Sequence, residues 1–169
     1  DVNFCSGDTI GIGSTAIVGY TYSWTPGTGL SDSTLPDPTI TLTNFGLVPD
    51  TFTYIVTATD TAPACVESDT IRVIVSPYPI PNAGPDLAFC SGLSDTLGAP
   101  LTAGYTYLWS PVTGLSDSSL SDPIITLTNA DTITDSLNYI VETSVFGCTG
   151  YDTAEVLVYA SPIVDAGPD

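Results

Sequence analysis

The sequence predicts an all-β protein: a small sandwich of short strands, written twice. Three observations carry this reading. Residues 20–44, YTYSWTPGTGLSDSTLPDPTITLTN, return 85 positions later as residues 105–129, YTYLWSPVTGLSDSSLSDPIITLTN. A self-match of that length at fixed spacing marks a tandem repeat. Apolar residues alternate with Ser and Thr along short runs, and no segment carries a helical period. These runs are separated by clusters of Gly, Pro, Asn, Asp and Ser, the residues that turn a chain.

The repeat extends beyond that stretch. Phe4-Cys5-Ser6-Gly7 returns as Phe89-Cys90-Ser91-Gly92, Asp69-Thr70 as Asp152-Thr153, and Ala83-Gly84-Pro85-Asp86 as Ala166-Gly167-Pro168-Asp169. Two domains are therefore expected, 1–85 with a linker at about 76–85, and 86–169 with a linker at about 159–169. The chain opens on the Asp that begins one repeat and stops on the Asp that would begin a third, so it reads as a piece of a longer array.

Each strand can be placed in order. Residues 1–5 put Val2 and Phe4 on one face, and Thr9–Ile12 puts Ile10 and Ile12 inward. Tyr20, Tyr22 and Trp24 alternate with Thr21 and Ser23, the period of a half-buried strand, and read as core. Pro26 ends that strand, and 27–38 is a long turn-rich loop. Thr39–Thr43 faces Ile40 and Leu42 inward. Phe52, Tyr54, Val56 and Ala58 line one face of a longer strand. Asp60–Ser68 reads as a loop holding Cys65, and Ile71, Val73 and Val75 as the last strand. Pro77, Pro79, Pro81 and Pro85 then read as a stiff linker, because proline fixes φ and donates no ladder bond. Six or seven such strands make an immunoglobulin-like sandwich.

The four cysteines fall two per repeat, which reads as one disulfide in each and an oxidising compartment. Under immunoglobulin-like wiring the loop before the last strand returns to the pole of the first. That expectation pairs Cys5 with Cys65 and Cys90 with Cys148, clipping the first strand to the final hairpin. The same wiring sends Asp32, Asp37 and Asp50 to the pole beside Asp86. Oxygen ligands from several loops suit Ca²⁺, so a junctional calcium site is the expected cofactor, if any.

The chain has one Arg, no Lys, no His and nineteen acids, for a net charge of −18. Such a surface repels nucleic acid and anionic lipid. No apolar run reaches the ~20 residues of a membrane helix, which excludes direct insertion by that route. Without His or Lys, and with its cysteines paired, the chain lacks the usual partners that activate a nucleophile, so an enzyme is not expected.

The motifs Y-x-W-x-P, G-L-S-D, Y-I-V-T-x-T-D, D-T and A-G-P-D followed by x-x-F-C-S-G resemble the Ig-like and PKD-like repeats of giant secreted surface proteins of Bacteroidota, including gliding-motility-associated adhesins. The fold class is accordingly two tandem Ig-like (PKD-like) β-sandwich domains. The resemblance implies modules of a long extracellular stalk, exported by the type IX route and fixed at the cell surface. It also implies a structural spacer in an adhesin or filamentous appendage that mediates attachment. Its expected partners are neighbouring repeats, laterally associated copies in a bundle, and glycans or other cell surfaces. The alternative is a Ca²⁺-dependent module that binds a ligand or glycan.

Overall fold

The computed structural model describes residues 1–62, 65–162 and 167. The rest of the second expected linker therefore lies outside the described residues, as do Pro63 and Ala64. The described chain has twelve strands and no helix. It divides into two compact units: Asp1–Tyr78 with Phe146–Cys148, and Pro79–Val145 with Thr149–Asp169.

In the first unit the strands are β1 (Val2–Cys5), β2 (Thr9–Gly11), β3 (Tyr20–Thr25), β4 (Thr39–Thr41), β5 (Asp50–Asp60) and β6 (Val66–Ser76). One sheet has the order β1-β6-β5-β3, and β2 pairs with β4 in a second, two-stranded sheet. Between them lie Phe4, Ile12, Trp24, Ile40, Leu42, Tyr54, Val73 and Val75. These are the residues that period-two alternation turns inward. The Trp24 indole N–H donates to Leu35 O at 2.9 Å, and the Tyr54 hydroxyl to Thr28 O at 2.6 Å. Those two bonds hold the 27–38 loop over the core edge. Gly13 sits at φ +87°, and a Cβ there would come within 2.1 Å of Pro36 O, so only glycine fits beneath the loop.

The second unit repeats the plan with β7 (Leu87–Cys90), β8 (Ser94–Thr96), β9 (Thr106–Ser110), β10 (Ile124–Thr126), β11 (Asp135–Val145) and β12 (Cys148–Tyr159). Its sheets are β7-β12-β11-β9 and β10-β8. Trp109, Tyr139, Ile125 and Val156 occupy the places of Trp24, Tyr54, Ile40 and Val73.

Three local expectations change. Tyr20 is exposed and Tyr22 only half-buried, so of the three alternating aromatics Trp24 alone is core. The expected 60–68 loop is shorter: Asp60 still belongs to β5 and Val66–Ser68 to β6, and the two strands stay paired through Thr57↔Ser68 and Thr59↔Val66. Both faces of that end are exposed, so backbone bonds hold it where no apolar alternation marks it. The proline segment is packed rather than free. Pro79 and Ala83 are buried, and a Cβ on Gly150 of β12 would meet Pro81 Cδ at 3.2 Å and Pro79 O at 3.3 Å.

A buried asparagine closes one end of each unit. Asn44 donates through Nδ2 to Val48 O and Val75 O, both at 2.8 Å, and its Oδ1 accepts from Gly46 N at 2.7 Å. Its own N–H donates to Ser6 Oγ. Asn129 repeats this set with Ile133 O, Val158 O, Asp131 N and Ser91 Oγ. Removing the amide leaves buried carbonyls unpaired, at about 1–3 kcal/mol each. Asn44→Ala and Asn129→Ala should therefore each cost roughly 2–3 kcal/mol in denaturant melts. A loss under about 0.5 kcal/mol, the usual size of a surface change, would show the amide is dispensable.

Thr143 presents the opposite case: its hydroxyl is buried without a hydrogen-bond partner among the described residues. Thr143→Val keeps the shape and removes the orphan. The melting midpoint should rise by the equivalent of about 1 kcal/mol; a fall would mean that the hydroxyl has a partner after all.

Candidate functional site

Covalent linkage is the chemistry that this fold positions best. β1 runs parallel to β6, with Val2↔Val73 through Cys5↔Ser76 in register. Cys5 therefore lies beside the last residue of β6. Cys65 immediately precedes Val66, the first. An 11-residue strand at ~3.3 Å per residue separates those ends by roughly 30 Å, well beyond the ~7 Å Cα limit of a disulfide. The expected Cys5–Cys65 bridge is overturned. The second unit follows the same rule: Cys90 pairs opposite Tyr159, at the end of β12 remote from Cys148, so Cys90–Cys148 is overturned as well.

Cys5 is instead bonded to Cys148, with Cα atoms 5.7 Å apart and a separation of 143 positions in sequence. The tip of the β11–β12 hairpin, Phe146–Cys148, belongs to the first unit. There the Ser76 hydroxyl donates to Phe146 O at 3.4 Å, and Ser76 and Cys148 are both buried. Cys148 comes from the second sequence repeat, so the bond joins one repeat to the other. Closing a loop of this length stabilises by about 5 kcal/mol in the chain-entropy account. Cys65 and Cys90 are free thiols, both exposed.

Two of the four acidic residues expected to hold calcium, Asp32 and Asp86, make local hydrogen bonds. Asp32 Oδ1 accepts from Thr34 N at 2.8 Å and from Thr34 Oγ1 at 2.7 Å. Asp86 Oδ1 accepts from Glu155 N at 2.8 Å and fixes the start of β7 against β12. Asp37 is an exposed loop residue, and Asp50 opens β5. Among the described residues no group of three or more acidic, His or Cys side chains is placed to hold a metal ion.

A groove of about 310 Å³ opens on the first unit between Gly13, Trp24, Val56, Asp69 and Ile71. Its polar lining is Asp1, Ser14, Asp69 and Thr70.

No family model matches the chain, and no curated protein matches it. Solved structures do. Drosophila OTK extracellular domains 3–5 match over 95% of this chain and 59% of that one, at 11% identity and a TM-score of 0.50. The titin domains Z1Z2 in complex with telethonin match at 17% identity over 95% of this chain and 93% of theirs, with a TM-score of 0.36. Mouse cadherin-23 EC22–24 matches at 12% identity over 95% and 62%, with a TM-score of 0.37. The class of protein is thus a tandem of Ig-like β-sandwich domains.

The two Thr34 bonds, side-chain hydroxyl first, hold the Asp32 carboxyl below its ordinary value of 3.8, and Ser119 does the same for Asp117. A lowered carboxyl pKa means that the charged form is the one the fold favours. Its anchoring of the loop is complete above 3.8 and is lost as pH falls through the lowered value. Carboxyl ¹³C titration should show Asp32 and Asp117 protonating below 3.8, with the turn amides of Thr34 and Ser119 shifting in step. Midpoints at or above 3.8 would mean that these turns are open in solution.

Proposed function

We propose that the chain is a structural repeat segment of an extracellular stalk, a non-catalytic spacer in an adhesin or filamentous surface appendage. The observation that carries this is the Cys5–Cys148 bond, which ties one sequence repeat to the other. Such a bond serves a protein that transmits tension rather than one that recognises a ligand in a pocket. Its presence favours an oxidising compartment outside the cytosol. No helix among the described residues is long and apolar enough to cross a membrane. The charge of −18 keeps copies apart until salt or cations screen it. Cell-surface attachment, type IX export and a Bacteroidota source belong to this reading through the resemblance of the repeat motifs alone.

The bond makes a mechanical prediction. When the chain is pulled from Asp1 and Asp169, the 143-residue loop between the cysteines carries no force while the bond holds. Reduction should release it and add on the order of 500 Å of contour length, at ~3.5 Å per residue. The oxidised protein should extend by less than about a quarter of that. Full extension of the oxidised chain would remove the mechanical role. Saturable binding of the isolated protein on a glycan array would replace the spacer reading with a binding module.

A further inference from the structure

The four-stranded sheets of the two units correspond strand for strand, but their outer faces differ in charge. Side chains alternate along a strand, so parity assigns each one to the core or to the outer face. In the first unit Ser23↔Thr57 and Thr25↔Ile55 pair between β3 and β5, and Ile55↔Thr70 and Thr53↔Arg72 between β5 and β6. All of these face away from Trp24, Tyr54 and Val73, the core residues of the same strands. The acids of the sheet, Asp50, Asp60, Glu67 and Asp69, have the opposite parity without exception. In a chain of net charge −18 the outer face of these strands therefore carries no acid, and it holds the single cation, Arg72. Arg72 is exposed and lies 3.9 Å from Asp1, a contact that is weak at a surface. On the neighbouring strand Ile55 is exposed as well.

The second unit gives the same face the opposite sign. Glu142 stands in the repeat where the first unit has Thr57, and Glu155 where it has Arg72. Glu155 is engaged locally, since its Oε1 accepts from Ser136 Oγ at 2.5 Å. Glu142 is not. It pairs with Leu108 across β11 and β9, and Ile140 precedes it by two on the same face. Leu108 and Ile140 are both exposed. The Glu142 side chain is half-buried, and among the described residues its carboxylate accepts no hydrogen bond and meets no cation. A half-buried carboxylate set between two exposed aliphatic side chains calls for a cation presented on an apolar face.

We infer that the outer face of the first repeat docks on the outer face of the second repeat of another copy of this chain, with Arg72 meeting Glu142 and Ile55 packing against Leu108 and Ile140. The inference rests on the structural-repeat reading and deepens it by naming the partner. Charge complementarity selects the contact. Setting like faces together would put Arg72 against Arg72, or Glu142 against Glu142. Opposite charges meet only when a first-repeat face is set on a second-repeat face. The acid-free face is also where another copy of the same net charge approaches with least repulsion. Two sheets packed face to face lie ~10 Å apart, a gap that interleaved Arg and Glu side chains span. A pair covered by both sheets is screened less by salt than an exposed one. A single sheet face lies at the low end of specific interfaces, so the association is weak and reversible.

The test is sedimentation equilibrium of the whole chain at about 0.15 M salt, with Cys65 and Cys90 alkylated so that thiol exchange contributes nothing. Wild-type protein should associate as its concentration is raised to about 1 mM. Arg72→Glu should weaken the association about tenfold. Glu142→Arg should weaken it by a similar factor, although it lowers the net negative charge. An equimolar mixture of the two variants should associate as the wild type does, because the pair re-forms between them with its charges exchanged. Recovery in the mixture also shows that both variants are folded. Wild-type protein that stays monomeric would overturn the inference. So would Glu142→Arg protein that associates as tightly as the wild type or more tightly, which is the result expected if net charge alone governs contact. A mixture no stronger than either variant by itself would overturn it too. None of these outcomes touches the pulling result, so the spacer reading stands or falls separately.

Discussion

The parallel pairing of the first strand with the last governs the rest of this structure. Most neighbouring strands here are antiparallel, and an antiparallel first strand would have ended at the pole where the closing strand begins. β1 and β7 run the other way, in matched registers, Val2↔Val73 and Leu87↔Val156. An aspartate fixes each entry: Asp1 accepts from Arg72 N at 3.2 Å, and Asp86 from Glu155 N at 2.8 Å. The two cysteines of a repeat thus sit at opposite ends of a strand of eleven or twelve residues. A repeat built this way does not close a disulfide between its own two cysteines. One choice of strand direction converts a self-stapled domain into a link.

The core was legible because alternation in the sequence is the pleat of a strand. Trp24 and Trp109, Ile40 and Ile125, Val73 and Val156 all point inward as their spacing requires. The tandem repeat made the reading firmer, since an error in one copy would have to recur in the other. Strand register was not legible. A short first strand alternates identically wherever it lies along a longer last strand. The expected pairing left Cys5 near the start of the last strand, whereas the register sets it opposite Ser76, the last residue of β6, and so the pairing was misread while the residues were recognised.

Two other misses have distinct causes. The outer half of β6, Val66–Thr70, is exposed on both faces. Its order comes from ladder bonds to β5, which leave no trace in side-chain pattern. The proline segment reads as a stiff linker because proline fixes φ, and the sequence does not show what it packs against. Here the rings are packed, and the close contact is made possible by Gly150, a residue whose lack of a side chain says nothing about what lies over it. The buried Asn44 and Asn129 had a visible signal, the repeated ITLTN ending. An asparagine there suggests a turn, and only the fold shows that it also ties the last strand through Val75 O and Val158 O.

The acidic surface follows from the same economy of short strands and tight turns. Three of the nineteen acids are glutamate, Glu67, Glu142 and Glu155, and the rest are aspartate. A charge coat alone would not choose between them. Turn formation does, because the shorter side chain reaches backbone N–H groups one or two residues ahead. Asp32 and Asp117 bond the amides of Thr34 and Ser119, Asp60 that of Ala62, and Asp69 and Asp95 those of Thr70 and Thr96. Asp32, Asp60 and Asp117 are thus joints of the turns, while Asp69 and Asp95 make the same short-range bond within strands. The single arginine, 3.9 Å from Asp1 and exposed, does little to offset their charge.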